Sequence, residues 1–130
     1  MSPTFAPVPT VLAVDDEIEV LNLVSRLLRE AGYEVAQARH GEEAWDRIQR
    51  GGPLPDLLLT DVVMPHMSGT ELAARVAGRH PELPIILMSA YSTDDMRRRG
   101  LQLTHGHLLT KPFARAELLG LVERLLRAAG

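Results

Sequence analysis

The sequence predicts an α/β fold: a parallel sheet of five strands, wound on both faces by helices. Two observations predict it. Short apolar runs of strand length recur at residues 11–14, 57–59, 85–88 and 108–109, the pattern of strands buried on both faces rather than of alternating half-exposed ones. Between these runs lie segments whose apolar residues recur at three-and-four spacing, as in a helix with one buried face. Buried strands interleaved with single helices make a parallel sheet covered on both sides, joined by right-handed crossovers.

The elements follow in order. Val11-Leu12-Ala13-Val14 is a strand running into acid, Asp15-Asp16-Glu17. Residues 18–31 place Val20, Leu21, Val24, Leu27, Leu28 and Ala31 on one helical face, and Gly32 falls where a helix ends in a left-handed residue. Residues 33–38 alternate loosely and include Tyr33 and Val35, which suits a second strand. Residues 41–50 carry Ala44, Trp45 and Ile48 on one side, a helix closed by Gly51-Gly52-Pro53. Leu57-Leu58-Leu59-Thr60-Asp61 is the third strand, ending on a carboxylate, and Met64-Pro65 and Ser68-Gly69 turn the chain into a short helix over 70–77. Pro81 and Pro84 bracket a loop before the fourth strand, 85–88, which ends at Ser89-Ala90. Residues 92–100 suit a weak helix with Met96 as almost its only apolar anchor, and 101–106 an irregular stretch bounded by glycine. Residues 108–110 form the fifth strand before Lys111-Pro112-Phe113, and Leu118, Leu119, Leu121, Val122, Leu125 and Leu126 make a last helix over 116–126. Among doubly wound orders the flavodoxin-like 2-1-3-4-5 suits five strands of this length.

Composition narrows the function classes. The chain has 130 residues, 45% hydrophobic and 24% charged, which suits one soluble domain able to bury a core. It has no cysteine, which removes disulfides, thiolate metal sites and a cysteine nucleophile. A net charge of −3 argues against direct nucleic-acid binding. Residues 1–9, with three prolines and neither a basic nor an apolar segment, are expected to be an extended or disordered leader to a domain over 10–128. No apolar run approaches the roughly 20 residues of a membrane span, so a cytoplasmic protein without membrane contact is expected.

In the order 2-1-3-4-5, strands one and three are neighbours, so Asp15, Asp16 and Asp61 converge at the point where the strand order reverses, the usual ligand crevice of such sheets. Three carboxylates so close repel one another unless a cation joins them. Oxygen-only ligands select a hard divalent ion, Mg²⁺ or Mn²⁺. Lys111 follows strand five at the same edge and offers a mobile positive charge for a phosphate oxygen, and Ser89 ends strand four with a hydroxyl. Acids, a divalent ion, a lysine and a hydroxyl around Asp61 suit phosphoryl chemistry with Asp61 as nucleophile.

These motifs, Val14-Asp15-Asp16-Glu17, Thr60-Asp61-Val62-Val63-Met64-Pro65 with Ser68-Gly69, Ser89-Ala90 and Lys111-Pro112-Phe113, resemble the receiver domain of two-component response regulators, in register over residues 10–128. The resemblance implies that Asp61 accepts phosphate from a histidine kinase phosphohistidine. It implies Mg²⁺ held by Asp16, Asp61 and the backbone carbonyl of Val63, with Asp15 helping through water. Ser89 would hydrogen-bond the phosphoryl group and Lys111 pair with it. Receivers often carry an aromatic residue three before the lysine; here that position is Leu108, which cannot act as an aromatic switch. Val63 and Tyr91, two residues after Asp61 and Ser89, are expected to cover the phosphoryl group and prolong its lifetime. Phrases such as Leu87-Met88-Ser89-Ala90-Tyr91 resemble receivers of hybrid histidine kinases more than those driving transcription.

Plainer readings stand beside these. Asp15, Asp16 and Asp61 are also suited to helix caps, Ser89 to the cap of the fourth helix, and Lys111 to the surface; Pro112 in cis would aim Lys111 inward. His40, His66, His80, His105 and His107 lack ligand spacing, and Arg97-Arg98-Arg99 reads as a solvated face. With no effector domain after Gly130, the output is expected through a changed surface over the fourth helix, fifth strand and fifth helix. That surface would meet a partner or second copy, or Asp61 would pass its phosphoryl group to a histidine phosphotransfer protein. The alternatives are a small phosphatase or phosphotransferase turning over on Asp61, and an interaction-only pseudo-receiver. The first is disfavoured because Val63 occupies the place of its second acid, the second because all five expected groups are present.

Overall fold

Five strands and five helices alternate strictly along the chain: β1 (Thr10–Val14), α1 (Ile18–Glu30), β2 (Glu34–Ala38), α2 (Gly41–Gln49), β3 (Leu57–Asp61), α3 (Gly69–Arg79), β4 (Ile85–Ser89), α4 (Thr93–Arg98), β5 (His107–Thr110) and α5 (Arg115–Ala129). The structure, a computed structural model, describes residues 7–101 and 103–129. The expected leader therefore lies outside the described residues over 1–6, and Pro9 already joins the sheet, its carbonyl accepting the Glu34 N–H at 3.0 Å.

All strand pairs are parallel and the order is β2-β1-β3-β4-β5, as the sequence predicts. Because side chains alternate along a strand, the sheet has two apolar faces. Leu12, Val14, Leu58, Ile85 and Leu87 pack with residues of α2, α3 and α4. Val11, Ala13, Leu57, Leu59, Ile86 and Met88 pack with residues of α1 and α5. Every residue of β3 and β4 is buried, which is why these strands read as continuous apolar runs.

The helix ends show where local chemistry decided the boundaries. Gly32 and Gly51 follow α1 and α2 with φ of +99° and +79°, the left-handed conformation in which a glycine closes a helix cheaply. α3 is longer than the 70–77 read from the sequence. The Ser68 Oγ accepts the Glu71 N–H at 3.1 Å, so the helix starts at Gly69, and the His80 N–H still reaches the Val76 carbonyl. α5 likewise outruns the expected 116–126. α4 is shorter than expected, a helix of 6 residues capped by Ser92 and anchored by the fully buried Met96.

Among the described residues no helix is long and apolar enough to cross a membrane. Since α4 buries little besides Met96, the substitution Met96→Ala is expected to cost about 2–4 kcal/mol. Hydrogen exchange should show the loss concentrated at residues 93–99; uniform protection there would contradict the single-anchor reading of α4.

Candidate functional site

The carboxyl ends of β1 and β3 lie side by side because the two strands pair, Val14 opposite Thr60. Each chain then continues directly into acid, so the pairing that buries the leucines also delivers the carboxylates. Asp15, Asp16 and Asp61 each offer a carboxylate oxygen within 4.8 Å of the others. β5 brings the counter-charge. The Lys111 N–H donates to the Ser89 carbonyl at 2.8 Å, fixing the chain at the end of the sheet, and the Lys111–Pro112 peptide is cis. The Lys111 Nζ donates to Asp61 Oδ1 at 3.0 Å and stands 3.9 Å from Asp15 Oδ2.

Burial sets the electrostatics. Asp15 is fully buried and Asp61 is 7% exposed. Burial pushes the Asp15 carboxyl from 3.8 up to about 6; the Glu17 N–H donated to Asp15 Oδ1 at 2.9 Å pulls the other way, and the Asp61 charge adds to the rise. Asp61 is raised as well, again chiefly by burial, with the Lys111 hydrogen bond and charge opposing. Three carboxylates face one ammonium, so the pocket carries uncompensated negative charge. Asp15 Oδ2 is buried without a hydrogen-bond partner, a costly state for an ionised oxygen. An all-oxygen donor set with an orphaned carboxylate oxygen fits a hard divalent cation.

The remaining predicted residues fall around this pocket in different ways. Ser89 is nearly buried at the end of β4. Its Oγ accepts the Tyr91 N–H at 2.9 Å, while Ser92 caps α4, so the plainer reading of Ser89 as the helix cap does not hold. Asp15 does retain a cap-like bond, to Glu17. Val63 is half exposed. Tyr91 and Leu108 pack against the apolar face covered by α2, α3 and α4. Trp45 packs on the same face, as expected of a core side chain, and Met64 and Met67 are buried.

Arg99 is the residue the sequence hid. Its guanidinium lies 4.0 Å from the centre of the Tyr91 ring, a cation–π contact, whereas Arg97 and Arg98 pair with Asp94 and Asp95 on the solvated face. Three consecutive arginines carry no local signal to separate the one that lies over an aromatic ring. Arg99 does so because it follows the last turn of α4, where Gly100 has a φ of +76° and the helix ends.

Comparison with known proteins agrees with this geometry. Residues 11–123 match the family model described as the response regulator receiver domain. The transcriptional regulatory protein PrrA of Mycobacterium tuberculosis is 37% identical over 122 residues, 94% of this chain and 52% of that protein. The chain thus spans about half the length of the curated relatives it matches. Among solved structures, the chemotaxis response regulator CheY4 of Vibrio cholerae superposes with a TM-score of 0.80 at 32% identity, covering 92% of this chain and 99% of that one. The signal receiver domain of a signal transduction histidine kinase from Syntrophus aciditrophicus gives 0.84 at 29% identity, covering 93% and 92%. A paired β1 and β3 ending in three acids, a lysine from β5 bonded to the third of them, and a family match across nearly the whole fold lead to one conclusion: the chain belongs to the response regulator receiver domain family.

Proposed function

We propose that Asp61 is the phosphoacceptor of a two-component phosphorelay. The observation that carries the reading is the 3.0 Å bond from the Lys111 Nζ to Asp61 Oδ1, made beside two further carboxylates. A carboxylate oxygen of Asp61 attacks the phosphorus of a histidine kinase phosphohistidine. The P–N bond breaks, and the imidazole departs with the electron pair and takes up a proton. No general base is required, because the nucleophile is already ionised. Lys111 releases part of its hold on the carboxylate and balances charge on the transferred oxygens. The Ser89 hydroxyl, now occupied with the Tyr91 N–H, turns to donate to the phosphoryl group.

Asp15, Asp16, Asp61 and the Val63 carbonyl would hold Mg²⁺ or Mn²⁺, which when bound neutralises the acids and polarises the phosphoryl oxygens. The chain is a signalling domain over residues 10–128 rather than a turnover enzyme: Val63, not an acid, stands two residues after Asp61. Its output is a changed surface over α4, β5 and α5, read by a partner or a second copy, or the phosphoryl group passes on to a histidine phosphotransfer protein. Tyr91 and Leu108 modulate that output, the leucine giving β5 no aromatic rotor. The setting is cytoplasmic. Proteins similar to this chain include both a transcriptional regulator and a receiver of a histidine kinase.

Acetyl phosphate with Mg²⁺ is expected to add one phosphoryl group to the protein, read by mass; Asp61→Asn should take up none, and Lys111→Ala should be slowed by about 10²-fold. An unmodified wild type would remove the phosphoacceptor reading, and sustained hydrolysis beyond stoichiometry would assign turnover instead. A second expectation concerns pH. With Asp15 raised from 3.8 to about 6, the metal-free native state keeps a proton that the unfolded chain gives up, so stability falls as pH rises through that window and the loss is complete at neutral pH. Asp15→Asn should therefore stabilise the metal-free protein at neutral pH by about 2–3 kcal/mol and flatten the slope of stability against pH. It should also shrink the gain in Tm on adding Mg²⁺. A destabilised Asp15→Asn protein would contradict the electrostatic account.

A further inference from the structure

How the main chain of Asp61 is held bears on the direction in which its carboxylate points. We propose that Thr60 and Gly69 are positioning residues for Asp61, together clamping the carbonyl of the Asp61–Val62 peptide; the assignment rests on the phosphoacceptor reading above. The Val62 N–H donates to the Met88 carbonyl at 3.0 Å, so the Asp61 carbonyl, on the opposite side of the same peptide plane, points away from β4 toward β1. There the ladder between β1 and β3 ends at Val14 opposite Thr60. The Thr60 hydroxyl takes over: Oγ1 donates to the Asp61 carbonyl at 2.9 Å. Thr60 is fully buried, and it follows Leu57, Leu58 and Leu59 in a strand that otherwise needs no polar side chain before the acid. A hydroxyl there costs desolvation unless it is bonded.

Gly69 closes the clamp from α3. A Cβ on it would lie 2.0 Å from the Asp61 carbonyl oxygen and 2.9 Å from the carbonyl carbon, so only glycine lets the helix start sit this close. Its N–H donates to the Val62 carbonyl at 2.8 Å, which ties residues 63–68, including Val63, back to the end of β3. Two neighbouring carbonyls are thus fixed by two residues that never enter the pocket. In-line transfer demands a near-attack placement of the nucleophile, and a misplacement of about 1 Å costs on the order of 10²-fold in rate. Loosening this peptide at Thr60 alone should lower the rate of transfer more than it weakens the divalent cation, because Asp15 and Asp16 stay on β1 and the Gly69 tie still holds the segment that carries Val63.

The test compares Thr60→Val, which keeps the shape and loses the hydroxyl, with Thr60→Ser, which keeps the hydroxyl. Phosphorylation rate with acetyl phosphate, Mg²⁺ affinity by calorimetry and Tm are measured on each full chain. Thr60→Val should be slowed by about tenfold with Mg²⁺ affinity within about threefold of wild type, and Thr60→Ser should recover the rate to within about twofold. A folded Gly69→Ala protein should be slowed at least as much as Thr60→Val. The assignment is overturned by a Thr60→Val protein or a folded Gly69→Ala protein at the wild-type rate, by a Thr60→Ser protein as slow as Thr60→Val, or by Mg²⁺ affinity falling in parallel with rate. A wild type that takes up no phosphoryl group overturns the underlying reading, and this assignment with it; an active wild type matched by Thr60→Val overturns the assignment alone.

Discussion

The contact on which the rest depends is the ion pair of Lys111 with Asp61, set in a pocket that still carries more negative charge than it can balance. One ammonium offsets one carboxylate at close range and reaches a second only at 3.9 Å. The fully buried Asp15 therefore keeps an oxygen with no partner, and its carboxyl is raised chiefly by that burial, with the Asp61 charge adding to the rise. The molecule holds this unfavourable arrangement because two apolar faces of a fully covered sheet outweigh it. A site short of positive charge is one that a divalent cation held by these acids would relieve. Stability spent on crowding like charges becomes affinity for the group that separates them.

The sheet order produces that crowding. Had β1 and β3 been separated by another strand, about 4.8 Å would have been added for each position, and the acids of β1 would no longer share ligands with Asp61. The side chains alternate about the same strands, so Thr60 faces α3 while Asp61 faces the pocket. This is how one peptide is gripped by a hydroxyl from its own strand and by the first residue of the next helix. The hold on the Asp61 main chain and the openness of the loop after it, where Val63 is half exposed, are built within three residues of each other.

At the other side of the pocket the chain is lightly held. α4 has one fully buried apolar residue, Met96, and its end is fastened by Arg99 over the Tyr91 ring. Tyr91 in turn bonds Ser89 through its N–H. A change of partner at the Ser89 hydroxyl therefore reaches α4 through one residue, and Leu108 packs beneath as a plain apolar side chain. Segments with few buried contacts are those that open at low cost, which suits α4 to a part that answers the site rather than one that builds it.

What could be read from the chain alone followed from periodicity and from residue chemistry at strand ends. Unbroken apolar runs identified the covered strands, three-and-four spacing identified α1 and α5, and acids closing two strands with a lysine closing a third identified the pocket. These are local signals, each written in a few adjacent residues. The ends of α3, α4 and α5 were less legible, since caps and last turns depend on hydrogen bonds that the apolar pattern does not contain. Three features belonged to the tertiary structure alone: the orphaned oxygen of Asp15, the contact of Arg99 with the Tyr91 ring, and the grip of Thr60 and Gly69 on the Asp61 carbonyl. Each joins groups brought together by packing or by the direction of a single peptide plane, and no spacing along the chain encodes those directions.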